Sequence, residues 1–596
     1  MTTAEDASVP VSRGALEGEL RAPSRDRWVL LGVLALAAVL RISALDRVPP
    51  AINQDEAVHA YDAWCILRTG ADHYGTPWPV FFRAFGDYHP GPFVYLLVPL
   101  QAWWGLGVWT TRLPGAVIGV IGVWLTFECC RRAMGRRVAV WAALLLAVSP
   151  WHLHVNRLAF EAGACPTLIV LGLLLGQIGW ARLRVAPSSG PRRGSPFVCI
   201  FLCGAVFGLA AWFYHAMRLF VPLLLFVLAV VFAGSIRTTT RTAAGRRSAI
   251  LWLTGLCVGL LPFLREAARA PQSVWARAHA VMAVPADGGI VGAAAVIARN
   301  YLRNLSPSFL LFEGDPSAIQ SVPGHGQLLW VCAALATVGI AGCLRRWRTD
   351  RTGRWLIAWI LVAPVPAALA AWPSGHALRG IGALPGWQIL AAVGAVGVID
   401  AAGRALSARG SRLAAYGILI ALLANSGIFV HRFLTRYPID AARALQSEWR
   451  DVFAHVREHL DPDAPVFVTY RDANQLGMLY LFWNRVDPDH LAESNLQIRD
   501  WGTFDRIGRV GRVYFPAPTD PLEYADVRVS NRAYILERPE IAAPGREIRR
   551  FTYPDGTDAV VLYELDLSSR PASIGDSSSR PWRESSRLAG RSRVPR

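Results

Sequence analysis

What most limits the folds open to this chain is a series of apolar runs, each long enough to lie in hydrocarbon. The first, "WVLLGVLALAAVL" at 28–40, continues to Leu45, and "ILIALLANSGIFV" at 418–430 closes the series. A bilayer core takes roughly 20 apolar residues to cross as a helix. With 53% hydrophobic residues and a mean hydropathy of +0.31, the chain carries more apolar surface than a water-soluble fold hides. Spans are expected at 28–45, 112–130, 138–151, 163–181, 197–213, 217–234, 249–264, 327–344, 355–371, 381–399 and 413–433. The polar stretch 1–27, followed by a long run without a small-residue cleavage site, reads as a cytoplasmic tail before an uncleaved span.

The net charge of +18 would point to nucleic acid in a soluble protein. Here all 61 basic residues are arginine, and they gather in short loops between apolar runs. "RRAMGRR" (131–137), "ARLRVAPSSGPRRG" (181–194), "IRTTTRTAAGRR" (236–247), "LRRWRTDRTGR" (344–354) and "GRALSARGSR" (403–412) are such loops. Positive charge marks the cytoplasmic side, so these loops and the N-terminus face inward, and no nucleic-acid partner is implied. The rule also decides the run "PFVYLLVPLQAWWGLG" (92–107). Counting it as a span would invert every later loop, so it reads as an apolar helix at the outer face. About eleven spans result, with loops 46–111, 151–162, 214–216, 265–326 and 372–380 outside. The nine cysteines show no metal-ligand spacing and read as small core hydrophobes.

After the last span, "PVFVTY" (465–470), "RVYFPA" (512–517), "AYILER" (533–538) and "AVVLYEL" (559–565) read as short strands. "ARALQSEWRDVFAHVREHL" (442–460) reads as an amphipathic helix. The expected organisation is a tail at 1–27, a transmembrane domain at 28–434, an extracytoplasmic α/β domain at 435–566 and a disordered tail at 567–596.

The outer loops carry the chemistry. "PPAINQDEAVHAYDAW" (49–64) sets Asp55 and Glu56 side by side after the first span, and "YGTPWPVFFRAFGDYHPGPFVY" (74–95) adds Arg83, Asp87 and His89 among aromatics and prolines. A loop rich in rings suits a fold closed over a pocket; a charged pair after a span is otherwise an ordinary solvated turn. In "SPWHLHVNRLAFEAGACP" (149–166), Arg157 and Glu161 would share one helical face at i, i+4. "WFYHAMR" (212–218) and "WPSGHALRG" (372–380) bring Tyr214, Arg218, His376 and Arg379 to outer turns. "YLRNLSPSFLLFEGDPSAIQSVPGHGQLLW" (301–330) adds Glu313, Asp315 and His325. Planar guanidinium forks suit a departing phosphate, and a carboxylate suits the proton of an incoming hydroxyl. The bland alternative for Arg218 and Arg379 is snorkelling to lipid headgroups. Trp78, Trp151 and Tyr301 are candidate stacking surfaces for a glycan.

The order "DEA…Y", "FGDYHPGPFVYLL", "RLPGAVIGVIGV", "SPWHLHVNRLAFEA", "AWFYHAMRLFVPLLL" resembles bacterial GT-C glycosyltransferases over about 28–400. Within them it is most similar to the branch of protein O-mannosyltransferases and lipid A aminoarabinose transferases. The resemblance implies a GT-C-like polytopic helical fold with about eleven transmembrane helices and a C-terminal extracytoplasmic α/β domain. It implies a polyprenyl-phosphate-linked sugar as donor and transfer on the outer face of the bacterial inner membrane, with Asp55 as the catalytic acidic residue. Glu56 and Glu161 are the accompanying catalytic candidates, and Arg157, Arg218 and Arg379 the candidates for the donor phosphate. His89, Asp87, Tyr214, His376 and Asp315 complete the candidate set. Many relatives place a lysine where this chain has His89. A divalent cation is compatible with these groups, and the acceptor can be a protein, a glycan or a lipid. A transporter or flippase of lipid-linked sugars is the competing class. It would carry ionisable residues at mid-span and broken helices in matched halves, whereas here the charges gather at one face.

Overall fold

In the computed structural model, the described residues are 24–184, 195–274, 289–370, 375–470, 475–491, 496–500, 505–516 and 532–568. The expected tails therefore fall outside them, apart from a few residues at their inner ends. The chain forms two compact units. One comprises Met1–Pro49, Pro90–Phe93 and Trp109–Tyr437; the other comprises Pro50–His89, Val94–Val108 and Pro438–Arg596.

The first unit is helical. Among the described residues five helical segments are long and apolar enough to cross a membrane: Val108–Met134, Glu161–Arg184, Pro196–Phe213, Ala243–Arg269 and Ile381–Thr435. Met217–Val231 and Ala233–Thr240, bent by 77° against each other, make a sixth if they form one span. This is fewer than the eleven expected, for identifiable reasons. The run at 138–151 yields only Arg136–Ala147, because Ser149 caps a new helix beginning at Pro150. The run at 355–371 yields Arg351–Val362, which stops short of Pro364 and Pro366. At about 1.5 Å per residue such 12-residue helices cover about 18 Å of a roughly 30 Å core. Ser24–Ile42 is 19 residues long and carries Arg27 near its start and Arg41 in its last turn. Within Ile381–Thr435 the helix breaks at Leu406 and Ser407 (φ 65°), as two spans around the Arg-rich turn at 403–412 require.

Small residues let these helices approach closely. A Cβ on Gly204 or Gly208 would fall 2.0 or 2.4 Å from backbone oxygens of the Ala243–Arg269 helix, and one on Gly339 would fall 2.0 Å from Leu390 O. Such contacts replace the hydrophobic drive that lipid removes.

The second unit is built on a seven-stranded sheet of order β4-β5-β6-β3-β7-β9-β8. Its strands are β3 (Val466–Val468), β4 (Gln497–Asp500), β5 (Asp505–Val510), β6 (Val513–Tyr514), β7 (Arg532–Glu537), β8 (Arg546–Thr552) and β9 (Asp558–Asp566). β3 runs parallel to β6 and β7, and the outer pairs are antiparallel. The helices Trp449–His459 and Leu476–Trp483 complete the C-terminal part. Residues 50–89 and 94–108, assigned from sequence to the transmembrane domain, belong to this unit instead. Ile52, Val58, Tyr61 and Cys65 share one buried core with Val452, Phe453, Leu479 and Leu536. Tyr61 donates to Val486 O at 2.9 Å, and Arg68 pairs with Asp489 at 2.6 Å. The segment 46–111 is thus ordered structure: a helix at Gln54–Thr69, a hairpin of β1 (Phe81–Ala84) and β2 (Asp87–Pro90), and a helix at Pro92–Trp104. Phe85 and Gly86, both at positive φ, make the two-residue turn that hairpins favour. The Pro92–Trp104 helix has 13 residues, too few to span.

Candidate functional site

The Asp-Glu pair opens the Gln54–Thr69 helix, and the two carboxylates have separate jobs. Asn53 is the N-cap, its Oδ1 accepting from the backbone N–H groups of Asp55 at 2.9 Å and Glu56 at 3.0 Å. Glu56 closes the reciprocal half of a capping box, its Oε2 accepting from Asn53 N at 3.2 Å and Asn53 Nδ2 at 3.0 Å. Glu56 is fully buried. Glu56, an expected catalytic candidate, is placed in a capping role, because the i, i+3 geometry of a first helical turn turns it back on the cap. Asp55 stays part-exposed, and among the described residues no side chain bonds its carboxylate.

Around this helix the same unit gathers further polar groups. The His59 and His89 rings meet edge-on at 5.1 Å, bringing one sequence candidate beside a histidine one helical turn from Asp55. Two imidazoles so close are nitrogen ligands of the kind a divalent cation takes. Asp87 is buried at the start of β2. Asp62, on the same helix, accepts from His73 Nδ1 at 2.6 Å and His73 N at 3.0 Å, both side chains buried. Burial opposes the His73 charge, but the Asp62 carboxylate outweighs it and holds the imidazole above its ordinary pKa. Arg83 pairs with Asp505 at 2.5 Å and lies over the Tyr74 ring at 4.8 Å.

In the helical unit, Arg157 departs furthest from expectation. It is 1% exposed, and its guanidinium grips backbone carbonyls: Val48 at 3.0 and 2.7 Å, Leu40 at 2.8 Å and Ala44 at 3.0 Å. These carbonyls lie at the end of the first helix and in its following turn, where Ala44 O also accepts from Arg47 N and Val48 N. Arg112 donates to Leu45 O and Pro49 O at 3.2 and 2.8 Å, and Arg41 to Leu146 O and Ala147 O at 3.2 and 2.9 Å. Arg157 is therefore a structural clamp on these carbonyls. Burial, and next the neighbouring Arg112, lower its pKa to about 10, which leaves it charged at neutral pH. Sequence reasoning missed the clamp because backbone acceptors have no residue signature. Arg157 and Glu161 do not share a helical face either. The helix ends at Val155, and Glu161 starts a short 3-10 turn, buried.

The remaining candidates collect at two turns between helices. Tyr214 ends the Pro196–Phe213 helix and Arg218 lies in the first turn of Met217–Val231, both part-exposed. Arg218 donates to Val274 O and lies over the Phe263 ring at 5.3 Å. Asp315 is buried, accepting from Ala377 N at 2.8 Å and Ser317 N at 2.9 Å, with His376 Nδ1 at 3.6 Å. Burial pushes its carboxyl up to about 6, against the pull of those hydrogen bonds and of Arg379. Asn304 Oδ1 accepts from His376 N at 3.0 Å. The two turns pack together through Phe220 and Gly382, where an added Cβ would stand 2.7 Å from the ring. Trp151, a sequence candidate for stacking, is instead buried against Phe309 and donates to Ala377 O at 3.0 Å. Tyr301 donates to Leu361 O, while Trp78 is 64% exposed.

No protein-family model matches this chain, and no curated protein sequence does. Solved structures do. ArnT from Cupriavidus metallidurans bound to undecaprenyl phosphate aligns over 92% of this chain and 100% of its own, with TM-score 0.52 and 16% identity. The archaeal oligosaccharyltransferase AglB from Archaeoglobus fulgidus, in complex with an inhibitory peptide and a dolichol-phosphate, aligns over 92% of this chain and 75% of its own, with TM-score 0.51 and 14% identity. At these identities the likeness concerns the fold, and the chain has the GT-C-like fold that its motif order resembles.

Proposed function

We propose that the protein is a membrane glycosyltransferase that moves a sugar from a polyprenyl-phosphate-linked donor to an acceptor hydroxyl at the outer face of the bacterial inner membrane. The observation that carries this reading is the fold likeness over 92% of the chain to two structures that each hold a polyprenyl phosphate. The residue chemistry supports it. Asp55, whose neighbour Glu56 is spent on the cap, is the group to take or orient the hydroxyl proton. Arg218 and Arg379, on turns joined by Phe220 and Gly382, are the group to hold the departing phosphate, with Asp315 and His376 shaping the second turn. A divalent cation bound by His59 and His89 would neutralise phosphate charge. In this reading the apolar runs together make about eleven crossings, the Arg-rich loops face inward and 435–566 lies outside.

The test is single-turnover transfer from a radiolabelled polyprenyl-phosphate sugar, beside a donor-binding measurement. Asp55→Asn should lower transfer by about 10²–10⁴ with donor binding retained. Transfer close to wild type would remove Asp55 from the chemistry. Topology is checked separately: a cysteine at 490 should be labelled from outside and one at 134 should not, and protection at 490 would overturn the outward site.

A further inference from the structure

We propose that Asp315 is a positioning residue that presents Arg379 to the donor phosphate, and that it does so only as a carboxylate, so that donor affinity falls as it gains a proton. The inference rests on the reading of Arg379 as a phosphate ligand. The turn that carries Arg379, residues 376–380, belongs to no helix or strand, and side chains supply most of its bonding. His376 N donates to Asn304 Oδ1 at 3.0 Å, Ala377 N to Asp315 Oδ2 at 2.8 Å, and Trp151 Nε1 to Ala377 O at 3.0 Å. Gly380 N closes the turn on His376 O at 2.9 Å. The backbone groups of residues 376 and 377 are thus all paired.

The three side chains come from separate segments. Trp151 lies in the Pro150–Val155 helix, Asn304 ends the Gly289–Asn304 helix, and Asp315 follows the turn Ser308–Phe312. Each is at most 4% exposed. Asn304 is itself oriented by donating from Nδ2 to Asn300 O at 2.8 Å, and Asn300 Nδ2 donates to Ala370 O at 3.0 Å. An arm fixed in this way spares the binding step the ordering of a loop.

Asp315 serves fully only while ionised. Its Oδ1 accepts from Ser317 N at 2.9 Å and its Oδ2 from Ala377 N. A carboxylate accepts on both oxygens, whereas an amide or a protonated acid keeps one good acceptor for the two N–H groups. The N–H that loses its partner in a buried site lets the turn loosen. Among the described residues the charged and titratable groups facing the carboxyl are His376, with Nδ1 3.6 Å from Oδ2, and Arg379. Burial pushes the carboxyl up to about 6, against the two hydrogen bonds and, as the smallest influence, Arg379. The opposing effect, an ionised Asp315 withholding Arg379 from the phosphate, is therefore the weaker one.

The test titrates the full-length protein in detergent with undecaprenyl methyl phosphate, a phosphodiester whose single negative charge does not titrate in the range used. Wild-type affinity should fall up to about tenfold between about pH 8 and about pH 5, as proton linkage to a carboxyl at about 6 requires. Asp315→Asn should bind about tenfold more weakly at about pH 8 and respond little to pH, the range of a lost charge-assisted hydrogen bond. Asp315→Glu should restore part of the affinity together with the pH response. His376→Gln should keep the acid-side loss, which separates the carboxyl from the imidazole. The wild-type pH profile keeps the test decisive if Asp315→Asn folds poorly. Wild-type affinity that holds or rises toward acid pH overturns the inference, as does unchanged or tighter binding by Asp315→Asn, or loss of the pH response in His376→Gln. Absence of saturable wild-type binding overturns it together with the phosphate role of Arg379, while the transfer reading is judged separately by the turnover assay.

Discussion

Replacing Arg157 by methionine separates a structural clamp from a phosphate ligand. Methionine fills much of the same volume but offers no donor, so the carbonyls of Leu40, Ala44 and Val48 lose their shared partner. A hydrogen bond to a charged group contributes about 1.5–3 kcal/mol net, so three acceptors would suggest about 5–9 kcal/mol. Removing the buried charge also removes its desolvation penalty, and breaking a buried charged contact by deleting one partner typically costs about 3–5 kcal/mol. That lower figure is the expectation, a large part of the roughly 5–15 kcal/mol that holds a domain folded. Arg157→Lys should fall between, since an ammonium is a point donor without the fork. The assay is thermal unfolding in detergent for wild type and both variants, with donor-phosphate binding measured on the same preparations. Methionine should lower the melting temperature strongly, with lysine intermediate. A methionine variant that melts within about 1 °C of wild type yet loses donor binding would refute the clamp, because an interaction of about 3–5 kcal/mol cannot vanish without a shift.

The His73–Asp62 pair makes the sheet unit sensitive to pH. Because the His73 pKa is raised on folding, its contribution is complete below the unfolded value of about 6.5 and is lost as pH rises through the folded value. His73→Gln should flatten stability against pH in that window, and NMR of the ring protons should show the raised titration; an imidazole titrating at or below 6.5 would refute it. For the capping box, Asn53→Ala should cost about 1 kcal/mol, and Glu56→Gln should leave both melting and transfer close to wild type because glutamine serves the same cap. A large loss of transfer in well-folded Glu56→Gln would return that residue to catalysis. Arg218→Lys and Arg379→Lys should each weaken donor binding about tenfold, as expected when a bidentate fork is lost; unchanged affinity in both would return them to headgroup contacts.

The sequence by itself determined what depends on local pattern. Apolar runs of membrane length, arginines confined to alternate connections and the alternating strands after residue 465 follow from period and composition. They place the long helices and strands β3, β6, β7 and β9 without reference to tertiary contacts. The order of the motifs between the apolar runs points to the fold found over 92% of the chain. Tertiary structure decided the rest. Whether an apolar run becomes a full-length helix depended on where Ser149–Pro150 and Pro364 ended it. Residues 50–89 joined the sheet unit because Tyr61 and Cys65 find their apolar partners hundreds of residues away, a pairing that no local period encodes. Asp55 and Glu56 differ in surroundings because Asn53 forms a cap with the Glu56 carboxylate. Arg157 is a candidate for phosphate from its residue type and its place in a loop; the acceptors that hold it here are backbone carbonyls brought near by the turn after the first helix, and every residue type carries the same carbonyl.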